Sequence, residues 1–242
     1  HCSRWQTYQF SYRILQGSGK MKFIKIADSH PVIDYLTKQI TTALTAGKQV
    51  LWLVPGGSAI SVAASVSKNL AGQDLQNLHV SLTDERYGPP GHADCNWLQL
   101  EQVGFSLPGA NLYPVVIGED RDVTTKKYAE HLEQLFNKAD YALGFFGIGP
   151  DGHTAGILPG SPAVHAKELA KDYDANFQRI TMTPPAIARL HEAVAFTNGE
   201  AKWPILDQLE TARSLDNQPA QALKLVPTVT IFNDYQDGEI TV

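Results

Sequence analysis

The segment LGFFGIGPDGHTAGILPG, residues 143–160, decides the fold that the sequence predicts. The apolar run of residues 141–148 is typical of a strand that is buried on both faces, as strands of parallel sheets are. Asp151 and His153 follow directly, and ligands of such sheets bind at the carboxyl ends of the strands. The intervening glycines let the backbone adopt positive φ and approach a ligand closely. The segment therefore predicts a buried strand that delivers a catalytic loop.

Further strands and helices alternate on either side of this segment. Apolar or alternating runs predict strands at residues 23–27, 49–54, 78–83, 111–117, 178–183, 192–196 and 225–232. Apolar residues at helical spacing predict helices near residues 31–46, 58–70, 96–103, 124–137 and 184–190. The alternation predicts a doubly wound, mostly parallel α/β sheet with helices on both faces. Pro227 suggests that the last strand lies at an edge, because proline cannot donate a ladder hydrogen bond.

Length and composition favour one large domain. The 242 residues suit a single α/β domain, which we place at residues 21–242. Residues 1–20 end in the linker-like QGSGK and precede Met21, so we expect them to be a non-functional extension. The formal net charge of -5 disfavours a nucleic-acid binder, which needs a basic face. No apolar segment is long enough to span a bilayer, so we expect no membrane partner.

The two cysteines, Cys2 and Cys95, lie far apart and have neither metal-ligand nor redox spacing. They are typical of free thiols in a reducing compartment, so we expect a cytoplasmic protein.

Two polar segments that follow predicted strands are candidates for ligand binding. Gly56, Gly57 and Ser58 form a strand-to-helix turn, where backbone N–H groups and the helix dipole favour an anion. The alternative is a tight connection without a ligand, and the absence of a Walker or GxGxxG pattern gives no indication of a nucleotide. Asp84, Glu85 and Arg86 follow the strand at 78–83, either as ligand-binding groups or as a solvated turn in which Arg86 pairs with a carboxylate.

Five segments together resemble the 6-phosphogluconolactonase family between about residues 22 and 210. They are PGGS at 55–58, TDER at 83–86 with DCN at 94–96, GIGPDGHTA at 147–155, RIT at 179–181 and NGEAK at 198–202. The related glucosamine-6-phosphate deaminases have a loop that resembles DGHIAFNEP, in which Leu158 would replace a glutamate. The resemblance therefore implies the lactonase rather than the deaminase, on a Rossmann-like fold similar to that of the deaminase.

The resemblance implies hydrolysis of 6-phospho-D-glucono-1,5-lactone in the oxidative pentose phosphate pathway. His153 would be the general base that activates water, and Asp151 would orient its imidazole or bond a sugar hydroxyl. Asp84 would be the second acid of the site. The phosphate would bind the turn of Gly56, Gly57 and Ser58 and the cations Arg86, Arg179 and Lys202. No metal or other cofactor is implied, and the protein would be a monomer or a homodimer.

Three departures from the family pattern bear on these roles. The turn at residues 54–59 is VPGGSA where the common pattern is SGGSTP, so it offers fewer hydroxyls. Residues 174–178 lack the lysine of a common Lys-Pro-Pro segment, and Cys95 replaces a serine. One phosphate-binding cation is therefore expected to be missing. Two alternatives stay open: an aminosugar-phosphate deaminase or isomerase, and a phosphosugar sensor without catalysis.

Overall fold

The computed structural model describes residues 19–242. In chain order the strands are β1 (Lys20–Lys25), β2 (Val50–Val54), β3 (Leu78–Leu82), β4 (Asp84–Arg86), β5 (Asn111–Tyr113), β6 (Tyr141–Gly147), β7 (Ala170–Asp174), β8 (Gln178–Met182), β9 (Glu192–Thr197), β10 (Thr228–Asn233) and β11 (Gly238–Thr241). The α-helices are α1 (His30–Thr45), α2 (Ile60–Asn69), α3 (Asn96–Gln102), α4 (Arg121–Lys138), α5 (Pro184–Ile187) and α6 (Trp203–Leu209).

Eight strands form the central sheet, in the order β11-β1-β10-β9-β6-β2-β3-β5. Every neighbouring pair is parallel except β1 and β11, which are antiparallel. This confirms the predicted mostly parallel α/β sheet. The chain moves from β2 outward to β3 and β5 and later from β6 outward to β9 and β10. Because parallel crossovers are right-handed, these opposite directions place helices on opposite faces, which is double winding.

The sheet changes its winding direction between β2 and β6, which are neighbours. In open α/β sheets the crevice beyond the carboxyl ends at such a point is the usual ligand site. The five residues of β2 and of β3 are all buried, and so are five of the seven residues of β6. Burial on both faces explains why these strands are uninterrupted apolar runs in the sequence.

A second sheet of three antiparallel strands, β4-β8-β7, lies beside the central one and was not predicted. Asp84–Arg86 are therefore not a loop after β3 but a strand paired with β8. The segment at 178–183 is a strand as predicted, although it belongs to this small sheet.

The prediction of an edge position for the last strand is wrong. β10 lies between β1 and β9, and it begins at Thr228, one residue after Pro227. The proline thus precedes the ladder, and its carbonyl oxygen accepts a hydrogen bond from the backbone N–H of Lys20. Most of the predicted extension at 1–20 lies outside the described residues, and Lys20 itself is the first residue of β1.

Candidate active site

The loop after β6 places His153 against Asp151. One carboxylate oxygen of Asp151 accepts the backbone N–H of His153 at 3.1 Å and lies 2.5 Å from its Nδ1. A carboxylate only accepts hydrogen bonds, so Nδ1 is the donor of this contact, and in the neutral imidazole Nε2 then keeps its lone pair. Burial raises the pKa of Asp151, but the hydrogen bonds and charge of His153 outweigh it and lower that pKa overall. The pair is therefore an ionised carboxylate that orients a base.

Gly149 makes this arrangement possible. A Cβ at this position would overlap Cε1 and Nδ1 of His153 and would lie 2.8 Å from Oδ1 of Asp151. The imidazole thus rests directly on the backbone of the loop. The loop is closed by a hydrogen bond from the backbone N–H of Gly149 to the carbonyl oxygen of His153 and by another from Gly152 to Gly149.

Asp84 is a second acid of the site and, unlike Asp151, it is buried. It is 5% exposed, and Thr83 donates its hydroxyl to Oδ1 at 3.1 Å. Burial raises the pKa of the Asp84 carboxyl, and the positive charges of Arg86 and Arg179 oppose this shift. When His153 is protonated, its positive charge opposes the rise in the Asp84 pKa as well. The structure therefore brings three of the predicted site residues into one electrostatic cluster with the histidine loop.

Arg86 and Arg179 are cross-strand neighbours on β4 and β8. The Nε atom of each is buried and has no hydrogen-bond partner, and Arg179 is only 9% exposed. Within residues 19–242 neither guanidinium forms an ion pair with a carboxylate. This rules out the solvated turn with a paired Arg86 that the sequence had left open. Two unpaired guanidinium groups side by side are suited to an anion.

Glu85 and Asn96 support the site and were not predicted to do so. The buried carboxylate of Glu85 accepts the backbone N–H groups of Arg86, Asn96 and Trp97, at 2.7, 2.6 and 3.1 Å, and the thiol of Cys95. Burial raises the pKa of Glu85, and these hydrogen bonds oppose the shift. The carboxylate thus fastens the start of α3 and the preceding loop to β4.

The turn after β2 is held to the same strand through Asn96. Gly56 lies against the Asn96 amide, which leaves no room for a Cβ, and Asn96 donates Nδ2 to the carbonyl oxygen of Asp84 at 3.0 Å. Gly57 has a φ of 67°, and a 3₁₀ helix of Gly57–Ala59 leads into α2. Gly57 and Ser58 are exposed. The backbone N–H groups at this helix start are therefore open to an anion.

Lys202 lies beyond the carboxyl end of β9, the strand next to β6. Burial lowers the pKa of its ammonium group, and the carboxylate of Asp234 opposes this shift. Asp234 also accepts the backbone N–H of Gly199 and the indole N–H of Trp203. No hydrogen bond or ion pair among residues 19–242 joins Lys202 to Arg86 or Arg179. Lys202 therefore follows a strand of the central sheet, whereas Arg86 and Arg179 lie on strands of the small sheet.

Cys95, the free cysteine among the described residues, is buried beneath this site, whereas Cys2 lies outside them. Within residues 19–242 no cluster of three His, Cys, Asp or Glu side chains is arranged to hold a metal ion. None of the helices described there is both long and apolar enough to cross a membrane.

Comparison with known proteins places this chain in a family. The family model described as glucosamine-6-phosphate isomerases/6-phosphogluconolactonase matches residues 27–231. The chain belongs to this family. The match contains every predicted site residue.

Several similar curated proteins and solved structures are named 6-phosphogluconolactonase. A 6-phosphogluconolactonase of Nostoc sp. is 28% identical over 193 residues, which cover 73% of this chain and 78% of that protein. A 6-phosphogluconolactonase of Synechocystis sp. is 28% identical over 222 residues, or 84% of this chain and 90% of the relative. The crystal structure of a 6-phosphogluconolactonase from Shewanella baltica superposes with a TM-score of 0.75 at 19% identity, covering 89% of this chain and 98% of that one. This likeness confirms the fold.

Leu158 stands where the resemblance to the deaminase loop implies a glutamate. Its backbone N–H contacts the Tyr173 hydroxyl at 3.2 Å, and its side chain packs against the core. The carboxylate that the deaminase-like loop would place here is therefore absent.

Proposed function

We propose that the protein hydrolyses 6-phospho-D-glucono-1,5-lactone to 6-phospho-D-gluconate. The observation that carries the proposal is the Asp151–His153 pair, whose geometry leaves Nε2 of the imidazole free to accept a proton. The names of the similar curated proteins support the same reaction. Absence of an acid at Leu158 favours this activity over the deaminase of the family.

In the proposed reaction Nε2 of His153 removes a proton from water while the water oxygen attacks the lactone carbonyl. The resulting tetrahedral oxyanion collapses and breaks the bond between the carbonyl carbon and the ring oxygen. The imidazolium then returns its proton to that ring oxygen, which becomes a hydroxyl of the product. The ionised Asp151 stabilises the imidazolium between these two steps. General-base assistance of this kind contributes about 10²–10⁴-fold.

The phosphate is proposed to bind between Arg86, Arg179 and the turn of Gly56, Gly57 and Ser58. Support comes from the two unpaired guanidinium groups, which can each donate two parallel hydrogen bonds to phosphate oxygens. Lys202 would add a point charge from the neighbouring strand end. Binding energy from the phosphate then holds the lactone carbonyl in position for attack. Asp84 would bond a sugar hydroxyl or act through its charge.

The test compares enzymatic with spontaneous hydrolysis for the phosphorylated lactone and for glucono-1,5-lactone. We expect hydrolysis well above background for the phosphorylated lactone and a strong preference for it. Ammonia release from glucosamine-6-phosphate would favour the deaminase. Background rates together with binding of 6-phosphogluconate would favour the sensor. The oligomeric state and the cytoplasmic location stay predictions.

A further inference from the structure

Phe177 is a half-buried aromatic residue that contacts both arginines of the site. It lies in the turn between β7 and β8, and its ring centre is 5.0 Å from Cζ of Arg86 and 5.7 Å from Cζ of Arg179. Both distances are within the range in which a cation is attracted to an aromatic face. One ring therefore serves two guanidinium groups.

The attraction to the ring matters because the two cations lie side by side. Arg86 and Arg179 are directly opposite each other on β4 and β8, where like charges repel. Neither forms an ion pair with a carboxylate within residues 19–242. Nη1 of Arg86 donates to the carbonyl oxygen of Asp94 at 3.2 Å, which leaves most of its donors free.

The turn that holds Phe177 is anchored on both sides. Arg121 of α4 forms ion pairs with Asp172 and Asp174 of β7. On the other side the backbone N–H of Tyr87 donates to the carbonyl oxygen of Gln178 at 2.7 Å, which ties the turn to the chain after β4. The ring is therefore fixed relative to both arginines.

We propose that Phe177 is a positioning residue that holds Arg86 and Arg179 side by side and ready for the phosphate group of the substrate. The proposal rests on the proposed function for the identity of the substrate. The turn at 174–178 lacks the lysine of the family pattern, and under this proposal it contributes the aromatic ring of Phe177 to the site instead. The aromatic face adds no charge but arranges the two charges already present, so that less side-chain freedom is lost when the anion binds.

The experiment measures binding of inorganic phosphate and of 6-phosphogluconate by calorimetry, alongside lactone kinetics. Phe177→Leu removes the aromatic face and keeps an apolar side chain, and Phe177→Tyr keeps the face. For Phe177→Leu we expect Kd for both anions and KM to rise about tenfold, which corresponds to 1.4 kcal/mol, with kcat close to wild type. Phe177→Tyr should bind like the wild type. In an Arg86→Gln background, Phe177→Leu should have a smaller effect, since one contact is already lost.

Unchanged phosphate affinity in Phe177→Leu would overturn the proposal, as would equal losses in the Leu and Tyr variants. If Phe177→Leu does not fold, Phe177→Met takes its place, and failure of both to fold would show that the ring serves packing instead. A wild-type protein that binds phosphate through Phe177 but does not hydrolyse the lactone would contradict the proposed function alone.

Discussion

Replacing Gly149 by alanine perturbs the catalytic pair without replacing either of its two side chains. Gly149 has a φ that alanine tolerates, so the backbone can stay in place. The new methyl group, however, would overlap the His153 ring and lie 2.8 Å from Oδ1 of Asp151. Because carbon atoms pack at about 3.5–4.0 Å, the imidazole has to move by about 1 Å or more. That movement separates Nδ1 from the carboxylate that orients it.

The expected magnitude follows from this displacement. A misplacement of about 1 Å at a reacting group costs on the order of 10²-fold in rate. We therefore expect kcat for the phosphorylated lactone to fall about 10²-fold, with KM nearly unchanged because the phosphate site is separate. The melting temperature should change little, since the His153 side chain is 36% exposed and can swing into solvent.

Gly147→Ala is the matched control at the end of β6, because no atom lies within 4 Å of its added Cβ. This variant should keep the wild-type kcat. Stopped-flow measurement of proton release during lactone hydrolysis, corrected for spontaneous hydrolysis, gives kcat for both variants. Wild-type kcat in Gly149→Ala, or an equal loss in Gly147→Ala, would refute the reasoning that contact with the loop backbone positions His153.

Three further changes test the charges of the site. Burial raises the pKa of Asp84, so the folded state is most favoured below the ordinary value of 3.8 and loses stability as pH rises through the raised pKa. Asp84→Asn should therefore raise Tm at neutral pH, by about 2–4 °C for each kcal/mol, and lower kcat; a lower Tm in calorimetry would contradict this. Burial lowers the pKa of Lys202, so the affinity of the wild type for 6-phosphogluconate should weaken as pH rises towards that lowered pKa. The affinity of Lys202→Arg should not weaken in this way, because the arginine stays charged. Parallel pH profiles of the two proteins would exclude this role for Lys202. Glu85→Ala leaves three backbone N–H groups without their acceptor and should lower the free energy of unfolding by about 2–3 kcal/mol in urea titrations. The control is the exposed Glu130→Ala. Equal stability of the two variants would contradict this role of Glu85.

The central sheet could be predicted because its signal is local. β2, β3 and β6 are buried on both faces, so their sequences are continuous apolar runs that need no knowledge of their partners. The small sheet could not be predicted in this way. β4 is the charged tripeptide Asp84–Arg86, and β7 is AKDYD, which is largely polar. Both are strands because they pair with β8, and pairing between distant segments leaves no mark in either sequence alone.

The same distinction applies to the site. Asp151 and His153 lie two residues apart on one loop, so their pairing follows from the sequence once the strand before them is recognised. The cluster around Arg86 and Phe177 depends on the register of β4 against β8, which no local pattern encodes. At Pro227 the local pattern was misleading. Proline cannot donate a ladder hydrogen bond, but Pro227 lies one residue before β10 and so does not restrict the position of that strand.

The most direct test of the account is lactone hydrolysis by the wild type and by His153→Ala under identical conditions. Binding of 6-phosphogluconate is measured in parallel. The account predicts rapid hydrolysis by the wild type, a fall of about 10²–10⁴-fold in kcat for the variant, and retained binding of the product in both. Equal hydrolysis by the two proteins above background, with binding intact, would contradict His153 as the base.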